Sequence, residues 1–415
     1  MNQNFNLVLI LGAGASKPLG LPVSREMVKE FLDTKDAEPL GVLKEKIITE
    51  DWDIEKLIRL IQQISTLDKE PPLKEILEKA YSQRLEKKIL KLNGIYDGIY
   101  INLLQFVRRR CLKPDISKAI DLYEPLIKLK EKLLLKIFTT NYDTSIEDVC
   151  KHLQIEFNDG FDISPFDDNM KFHPEILGKK NPQLYKIHGS VNWWADEKRE
   201  GDIFRLGLEL EGLKNISNMM IYPAQLELTY NYPFNIMQSH YVLSLIESDM
   251  VVAIGHKFGD INISLPIKAL LERPKFKLHL ISPSAENIKR DVFKDHNNVI
   301  AIPKKIEDWI TDGLNEINNE VESFEKRVKE EEEKENKILE KIRKERLDLK
   351  LSKRSPGKII YTLDTNGTLQ YTQVTCPKCG GLIATYYGSV PPMYECKVCN
   401  IHFQKSELET SVKFE

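Results

Sequence analysis

The chain has 415 residues, 41% of them hydrophobic, and a formal net charge of −3 at pH 7. That is enough apolar material for more than one core, and it excludes broad electrostatic capture of nucleic acid, which needs a basic face. No basic-then-apolar leader opens the chain and no apolar run approaches the roughly 20 residues that span a bilayer, so a cytoplasmic chain with no membrane partner is expected.

The first predicted element is a buried strand from Asn6 to Leu11, which empties into GAGASKPLGLP with Gly12, Gly14 and Gly20. Glycines just after a buried strand let backbone N–H groups approach a phosphate, and a helix N-terminus adds positive potential. The loop is therefore expected to cradle a phosphate. The residue three places after Gly14 is Lys17, however, and SREMVKEFLD reads as a helix where a second strand ending in an acidic ribose ligand would stand. The dinucleotide fingerprint of dehydrogenases thus fails.

From about residue 40 to 134, helical periodicity runs through DIEKLIRLIQQI, KEILEKAYSQRLEKKIL and SKAIDLYEPLIKLKEKLL. A simple crossover needs one helix, so this interval is read as an inserted helical module. Further strands are predicted from Lys136 to Thr139, Leu184 to Ile187, Met219 to Tyr222, Met250 to Ile254, Lys277 to Ile281 and Val299 to Ile302. Strands alternating with helices give an α/β class with a Rossmann-like, mostly parallel sheet, and ligands beyond the carboxyl ends of its strands. Cys111 and Cys150 fall in helical patterns and are expected in the core.

After Asp308 the pattern becomes a charged helix of about 40 residues. Ile317, Val321, Phe324 and Val328 keep one register that resumes at Ile338 and Ile342. That phase fits a coiled-coil seam, and a solvated single helix held by Glu and Lys pairs is the alternative. Ser355, Pro356 and Gly357 end it. Cys376 and Cys379 in CPKC and Cys396 and Cys399 in CKVC are separated by sixteen residues, the spacing of a closed four-cysteine zinc site with no position left for water or substrate. A structural zinc ribbon is expected, with a preceding hairpin turning at Asn366 and Gly367. His402 is a substitute ligand in the alternative reading. Protein docking and nucleic-acid binding by the ribbon both stay open. The expected division is 1–310 with the insert at about 40–134, then 311–354, then 355–415.

Two more polar clusters stand where buried strands stop. IFTTNYD carries Asn141 and Asp143, and LYKIHGS carries His188, Gly189 and Ser190. On a parallel sheet these ends converge with the glycine loop and join an amide, a carboxylate and an imidazole in one pocket. Taken singly, Asn141 or Asp143 reads equally well as a cap of the helix starting near Ser145, and His188 as a satisfied buried histidine.

Taken together and in this order, the motifs resemble the sirtuin-like family of NAD-consuming proteins. GAGASKPLGLPVSR is similar to the family's GAG-x-S segment with its following G-[IL]-P, matched at Gly12, Ala13, Gly14, Ser16, Gly20, Pro22 and Arg25. TTNYD is similar to TQN-x-D, with Thr140 in place of glutamine, and His188 matches the histidine of HG. VVAIGHKFGD resembles the later ribose- and phosphate-contacting turn. The resemblance implies Asn141, His188 and Asp143 as catalytic residues and Gly12, Ala13, Gly14, Ser16, Pro22, Arg25, Gly255, His256 and Asp260 as NAD-binding ones.

The departures narrow the resemblance. Val23 and Ser24 stand where deacylating sirtuins carry aspartate and phenylalanine, and both CxxC pairs lie beyond the catalytic region. What remains looks like the sirtuin-like domain of bacterial antiphage defence proteins. It implies an NAD hydrolase that releases nicotinamide and ADP-ribose or a cyclic product, self-associates as a homo-oligomer, and answers to a partner ATPase, nuclease or phage-derived activator. The alternatives are an NAD-dependent protein deacylase, a nonenzymatic NAD or ADP-ribose sensor, and a zinc-ribbon nucleic-acid adaptor.

Overall fold

The computed structural model describes residues 4–66, 98–163, 170–196, 202–205, 216–220 and 232–352, apart from residues 42 and 113, and then 358–363, 369–376, 378–379, 382–384, 393–396, 399, 401–404 and 409–414. Two compact units divide the chain, Met1–Ser323 and Phe324–Glu415. Among the described residues no helix is long and apolar enough to cross a membrane.

The first unit is organised by a six-stranded sheet. Its strands are β1 (Asn6–Leu11), β2 (Leu134–Thr139), β5 (Gln183–Lys186), β9 (Met250–Ile254), β10 (Leu278–Ile281) and β11 (Val299–Ile302), in the order β11-β10-β9-β1-β2-β5. Every pairing is parallel. Five consecutive residues of β1, Leu7 to Leu11, are buried, as a strand covered on both faces requires. The sequence of β1 therefore reads as a continuous apolar run rather than an alternation.

The order reverses direction at β1, so the crevice between β1 and β9 is a topological switch point, where open α/β sheets bind ligands. The register brings the carboxyl ends level. Leu11 pairs with Thr139 and Ile254, Thr139 with Lys186, Ile254 with Ile281, and Ile281 with Ile302. Six strands therefore stop on one line, and the loops that leave them share one rim.

Between β1 and β2 the chain builds the helical insert. Its described helices are α1 (Ser24–Leu32), α2 (Leu43–Thr49), α3 (Ile54–Thr66), α4 (98–111) and α5 (Ile116–Ile127). Phe31, Leu57, Ile58, Ile61, Leu103 and Val107 are essentially inaccessible and form a core of their own. The predicted helix KEILEKAYSQRLEKKIL lies outside the described residues.

The segments on either side of β5 depart from expectation. Here β3 (Phe161–Ile163), β4 (Met170–Phe172), β6 (Gly189–Asp196), β7 (Ile203–Arg205) and β8 (Ile216–Met220) form a second, antiparallel sheet. The strand predicted from Met219 to Tyr222 is thus shifted into this sheet as β8, and its last two residues lie outside the described ones. Only Ile187 and His188 separate β5 from β6. The chain changes sheets within two residues at the imidazole the sequence singles out.

The remaining helices of this unit are α6 (Ser145–His152), α7 (Phe234–Glu247), α8 (Ile261–Leu271) and α9 (Ala285–Phe293), followed by α10 (Ile306–Ser352), which continues into the second unit. At the start of α10, Trp309, Ile317 and Val321 are buried. Farther along, Ile338, Leu339 and Ile342 are exposed, so the predicted seam is core in its first half and bare in its second.

In the second unit β12 (Lys358–Leu363) and β13 (Leu369–Thr375) form the predicted antiparallel hairpin, whose Asn366–Gly367 turn lies outside the described residues. β14 (Leu382–Ala384) and β17 (Glu409–Phe414) extend that sheet, and β15 (Met393–Cys396) pairs with β16 (Ile401–Gln404).

Candidate active site

Above the level strand ends lies a cavity of about 730 Å³. Its wall includes all twelve residues expected at the catalytic and NAD-binding positions: Gly12, Ala13, Gly14, Ser16, Pro22, Arg25, Asn141, Asp143, His188, Gly255, His256 and Asp260. Residues from four separate chain segments thus meet at one place.

The glycines, however, are not spent as the sequence leads one to expect. The Gly12 N–H donates to the Ile254 carbonyl and the Gly14 N–H to the Gly255 carbonyl, both at 3.0 Å. These two amides are committed to backbone. What demands glycine is proximity: a Cβ on Gly12 would lie 2.6 Å from His256 Cα, and one on Gly14 2.8 Å from Gly255 Cα. Gly255 has φ +63 and its Cβ would stand 2.3 Å from the Ala15 nitrogen. The loop after β1 and the turn after β9 therefore interlock without side chains between them.

Asn141 stands at the centre. Its side-chain NH₂ donates to the Gly12 carbonyl at 3.0 Å and to Ser16 Oγ at 2.9 Å, and no donor among the described residues reaches its Oδ1. Ser16 in turn donates to Asp143 Oδ2 at 2.9 Å. The other Asp143 oxygen accepts from the Ser145 backbone N–H and hydroxyl. Both Asp143 oxygens are thus engaged by the loops it joins, and the carboxylate holds Ser16 and the start of α6 while lining the cavity.

His188 and Asp260 form a pair across 72 residues of sequence, with His188 Nε2 2.9 Å from Asp260 Oδ2 and both side chains almost fully buried. Asp260 Oδ1 accepts from the Asn262 N–H and so caps α8. Burial alone would raise the Asp260 carboxyl. The His188 hydrogen bond and charge and the Asn262 N–H outweigh it and hold the group below the usual carboxylate range. An ionised Asp260 accepting from Nε2 fixes the proton there and leaves Nδ1 as the basic nitrogen of His188.

His256 is neutral for the complementary reason. Its Nδ1 accepts the Phe258 N–H at 3.0 Å, which puts the ring proton on Nε2. Burial, then the charge of His188, push its pKa down to about 4 against the opposing pull of Asp260. The folded value is below the unfolded value of about 6.5, so the unfolded chain takes up the extra proton first. The resulting stability is present above pH 6.5 and is lost as pH falls toward 4. Denaturant unfolding should show the parent chain losing about 2 kcal/mol more stability between pH 7.5 and pH 4.5 than His256→Asn loses, whose amide oxygen still accepts from Phe258. Parallel losses in the two chains would remove His256 as the cause.

Behind the imidazole lies a buried ion pair. Lys186, the last residue of β5, has no exposed surface. Its ammonium donates to Glu147 Oε1 at 2.8 Å, to Ser190 Oγ at 2.7 Å and to the Asp143 carbonyl. Burial pushes the Glu147 carboxyl up, and the charge of Lys186 opposes that. One side chain therefore ties the loop bearing Asn141 to the strand that begins beside His188.

The cavity wall also contains residues that sequence reasoning passed over. Asp53, Glu55 and Cys111 come from the insert, and Lys257, Lys304 and Lys305 from the rim beyond β9 and β11. No motif spacing marks them, because the insert and the sheet edge are joined only by folding. Arg25, one of the expected residues, is half-exposed and ion-paired with Asp51. Cys111 is core as expected, and burial pushes its thiol up to about 12.

In the second unit the four thiol sulfurs of Cys376, Cys379, Cys396 and Cys399 lie within 4.8 Å of one another, with 3.8 Å between Cys379 and Cys396. Four sulfurs about 2.3 Å from one ion in a tetrahedron stand about 3.8 Å apart, so the cluster fits zinc. Metal analysis of the purified chain should find about one zinc ion per chain, and Cys396→Ser together with Cys399→Ser should abolish it. Full zinc content in that variant would remove the cluster as the site.

No curated protein matches the chain in sequence. Among solved structures, it is similar to a Sir2 homologue in complex with NAD at 10% identity and TM-score 0.40, over 76% of this chain and 90% of that one. It is also similar to a chain from work on the mechanism and regulation of Sir2 enzymes, at 11% identity and TM-score 0.38, over 78% and 94%. Within the chain, residues 135–302, from β2 through β11, match the family described as the SIR2-like domain.

Proposed function

We propose that the chain is an NAD glycohydrolase that breaks the bond between nicotinamide and ribose, with NAD as substrate and a structural zinc in the second unit. The observation that carries this reading is the meeting of the Asn141 amide and the His188–Asp260 pair on the wall of one cavity at the switch point of the parallel sheet. The cavity volume of about 730 Å³ lies in the range for small-molecule and cofactor sites.

Cleavage passes through an oxocarbenium-like ribose, and nicotinamide departs neutral with the electron pair of the broken bond, so the site needs no strong acid. Asn141, pinned through its NH₂ by Gly12 and Ser16, offers Oδ1 to the attacking water or a ribose hydroxyl. His188 Nδ1 accepts a proton from one of these. Asp260 keeps the ring in that tautomer and stabilises the imidazolium that forms. The reading places the enzyme in the cytoplasm as an antiphage effector that depletes NAD, self-associates, and responds to an activating partner of the ATPase, nuclease or phage-derived kind.

Nicotinamide release from NAD by the purified full-length chain tests this directly. Release without any peptide is the expected result. Release only when acetyl-lysine peptide is added would replace hydrolysis by deacylation, and NAD binding without release would leave a sensor.

A further inference from the structure

The proposed reaction has two protons to manage, one on the ribose and one on the water that replaces nicotinamide, while the His188–Asp260 pair offers one basic nitrogen. A second acceptor has to come from another carboxylate on the cavity wall. Those available are Asp53, Glu55, Asp143, Asp260 and Glu307. Asp143 has both oxygens engaged by Ser16 and Ser145, and Asp260 has both engaged by His188 and Asn262. Asp53 caps α3 through the Lys56 N–H and is exposed, as is Glu307.

Glu55 differs from all of these. It sits in the first turn of α3, half-buried, and Oε2 accepts the hydroxyl of Ser24 from the start of α1. Ser24 Oγ itself accepts the Ile54 N–H at 2.9 Å, so the hydroxyl is held at the start of α3 while its proton goes to Glu55. The carboxylate is held from two helices instead of swinging free in solvent. It lines the same cavity as Asn141 and His188, and burial raises it above the usual carboxylate range, with Asp53 adding to the rise and Ser24 and His188 opposing it. A raised carboxylate pKa brings the group closer to the value at which proton acceptance is effective near pH 7.

We propose that Glu55 is the general base for the attacking water, presented by the helical insert on the wall of the cavity that Asn141 and His188 also line. The proposal rests on the NAD glycohydrolase reading and divides its chemistry. The C1′–nitrogen bond breaks and its electron pair leaves with nicotinamide. A water oxygen bonds to C1′ and its proton passes to the Glu55 carboxylate, which releases it to solvent after ADP-ribose departs. His188 then takes the ribose hydroxyl proton while positive charge develops at C1′ and returns it once the water oxygen has bonded there, so one proton is released per turnover. Under this assignment the insert supplies a reacting group that the sheet alone lacks.

The test uses full-length Glu55→Gln, whose amide oxygen still accepts from Ser24, with azide as a nucleophile that needs no deprotonation. Nicotinamide release in water should fall about 10²-fold with KM changed less than about threefold, and azide should restore release to within about tenfold of the parent chain while giving ADP-ribosyl azide. Glu55→Asp should recover part of the aqueous rate. Hydrolysis by Glu55→Gln within about threefold of the parent, or a loss that azide does not restore in a folded variant with unchanged KM, would overturn the assignment while leaving the NAD glycohydrolase reading intact. A parent chain that releases no nicotinamide under any condition would overturn that reading and this proposal together.

Discussion

His188→Ala is expected to lower nicotinamide release from NAD by about 10³-fold, the middle of the range for removing a general acid or base, with far-ultraviolet circular dichroism unchanged. The imidazole makes one side-chain contact of consequence, to Asp260, and Asp260 keeps its second partner, the Asn262 N–H, when the ring is gone. The loss therefore falls on chemistry more than on folding. A companion variant separates the roles. Asp260→Asn still caps α8, because an asparagine oxygen accepts from Asn262, but its NH₂ now faces His188 Nε2 and forces the ring proton onto Nδ1. The basic nitrogen is then turned away from the cavity, and a drop of the same order should follow without loss of the cap. If His188→Ala keeps more than about a tenth of the parent rate, the imidazole is not a participant in proton transfer.

Lys186→Met should destabilise the first unit by about 3–5 kcal/mol, because it leaves the Glu147 carboxylate buried without its counter-charge. It also removes the donor that joins the Asp143 carbonyl to Ser190 Oγ. Adding Glu147→Leu should return most of the stability, since exchanging both members of a buried pair for apolar groups of similar size is often neutral. Activity should not return with it. The paired substitution restores packing but leaves the loop bearing Asn141 untied from the start of β6, so kcat should stay reduced by about tenfold or more. Denaturant unfolding and steady-state kinetics on the parent chain and both variants would read both effects. A double variant with normal kcat would show that the ammonium serves only the fold.

The parallel sheet was legible because its strands are short apolar runs bounded by turn residues, a pattern that burial on both faces imposes. The antiparallel strands β3, β4 and β7 were not, since three residues each carry too little periodicity. β6 escaped because it begins without a break after a turn of two residues, and its opening Gly189 and Ser190 look like the end of the HGS motif. Asn141 and His188 could be singled out as polar residues where apolar strands stop. Asp260 and Ser16 were named only as cofactor-contacting positions, and their pairing with His188, 72 residues away, and with Asp143, 127 residues away, was not legible. Lys186 reads in sequence as one polar residue in a strand, and Glu55 as an ordinary acidic residue in the first turn of a helix. Only the fold reveals the company each keeps. The glycines show the opposite failure. Their positions were read correctly as special, but the reason was wrong for Gly12 and Gly14, which serve backbone packing before they serve any ligand.

That interlock bears on how this protein can change over generations. Gly12 and Gly14 lack side chains because the turn at Gly255 occupies the space, and Gly255 lacks one because Ala15 and Gly14 occupy its own. A side chain gained at any of the three meets backbone, which cannot step aside as a flexible neighbour would. No sequence of single replacements, each tolerated by itself, leads from this arrangement to one with side chains at the interface. Two segments some 240 residues apart are thus inherited as a single unit, and transplanting either loop into another scaffold will succeed only when the other travels with it.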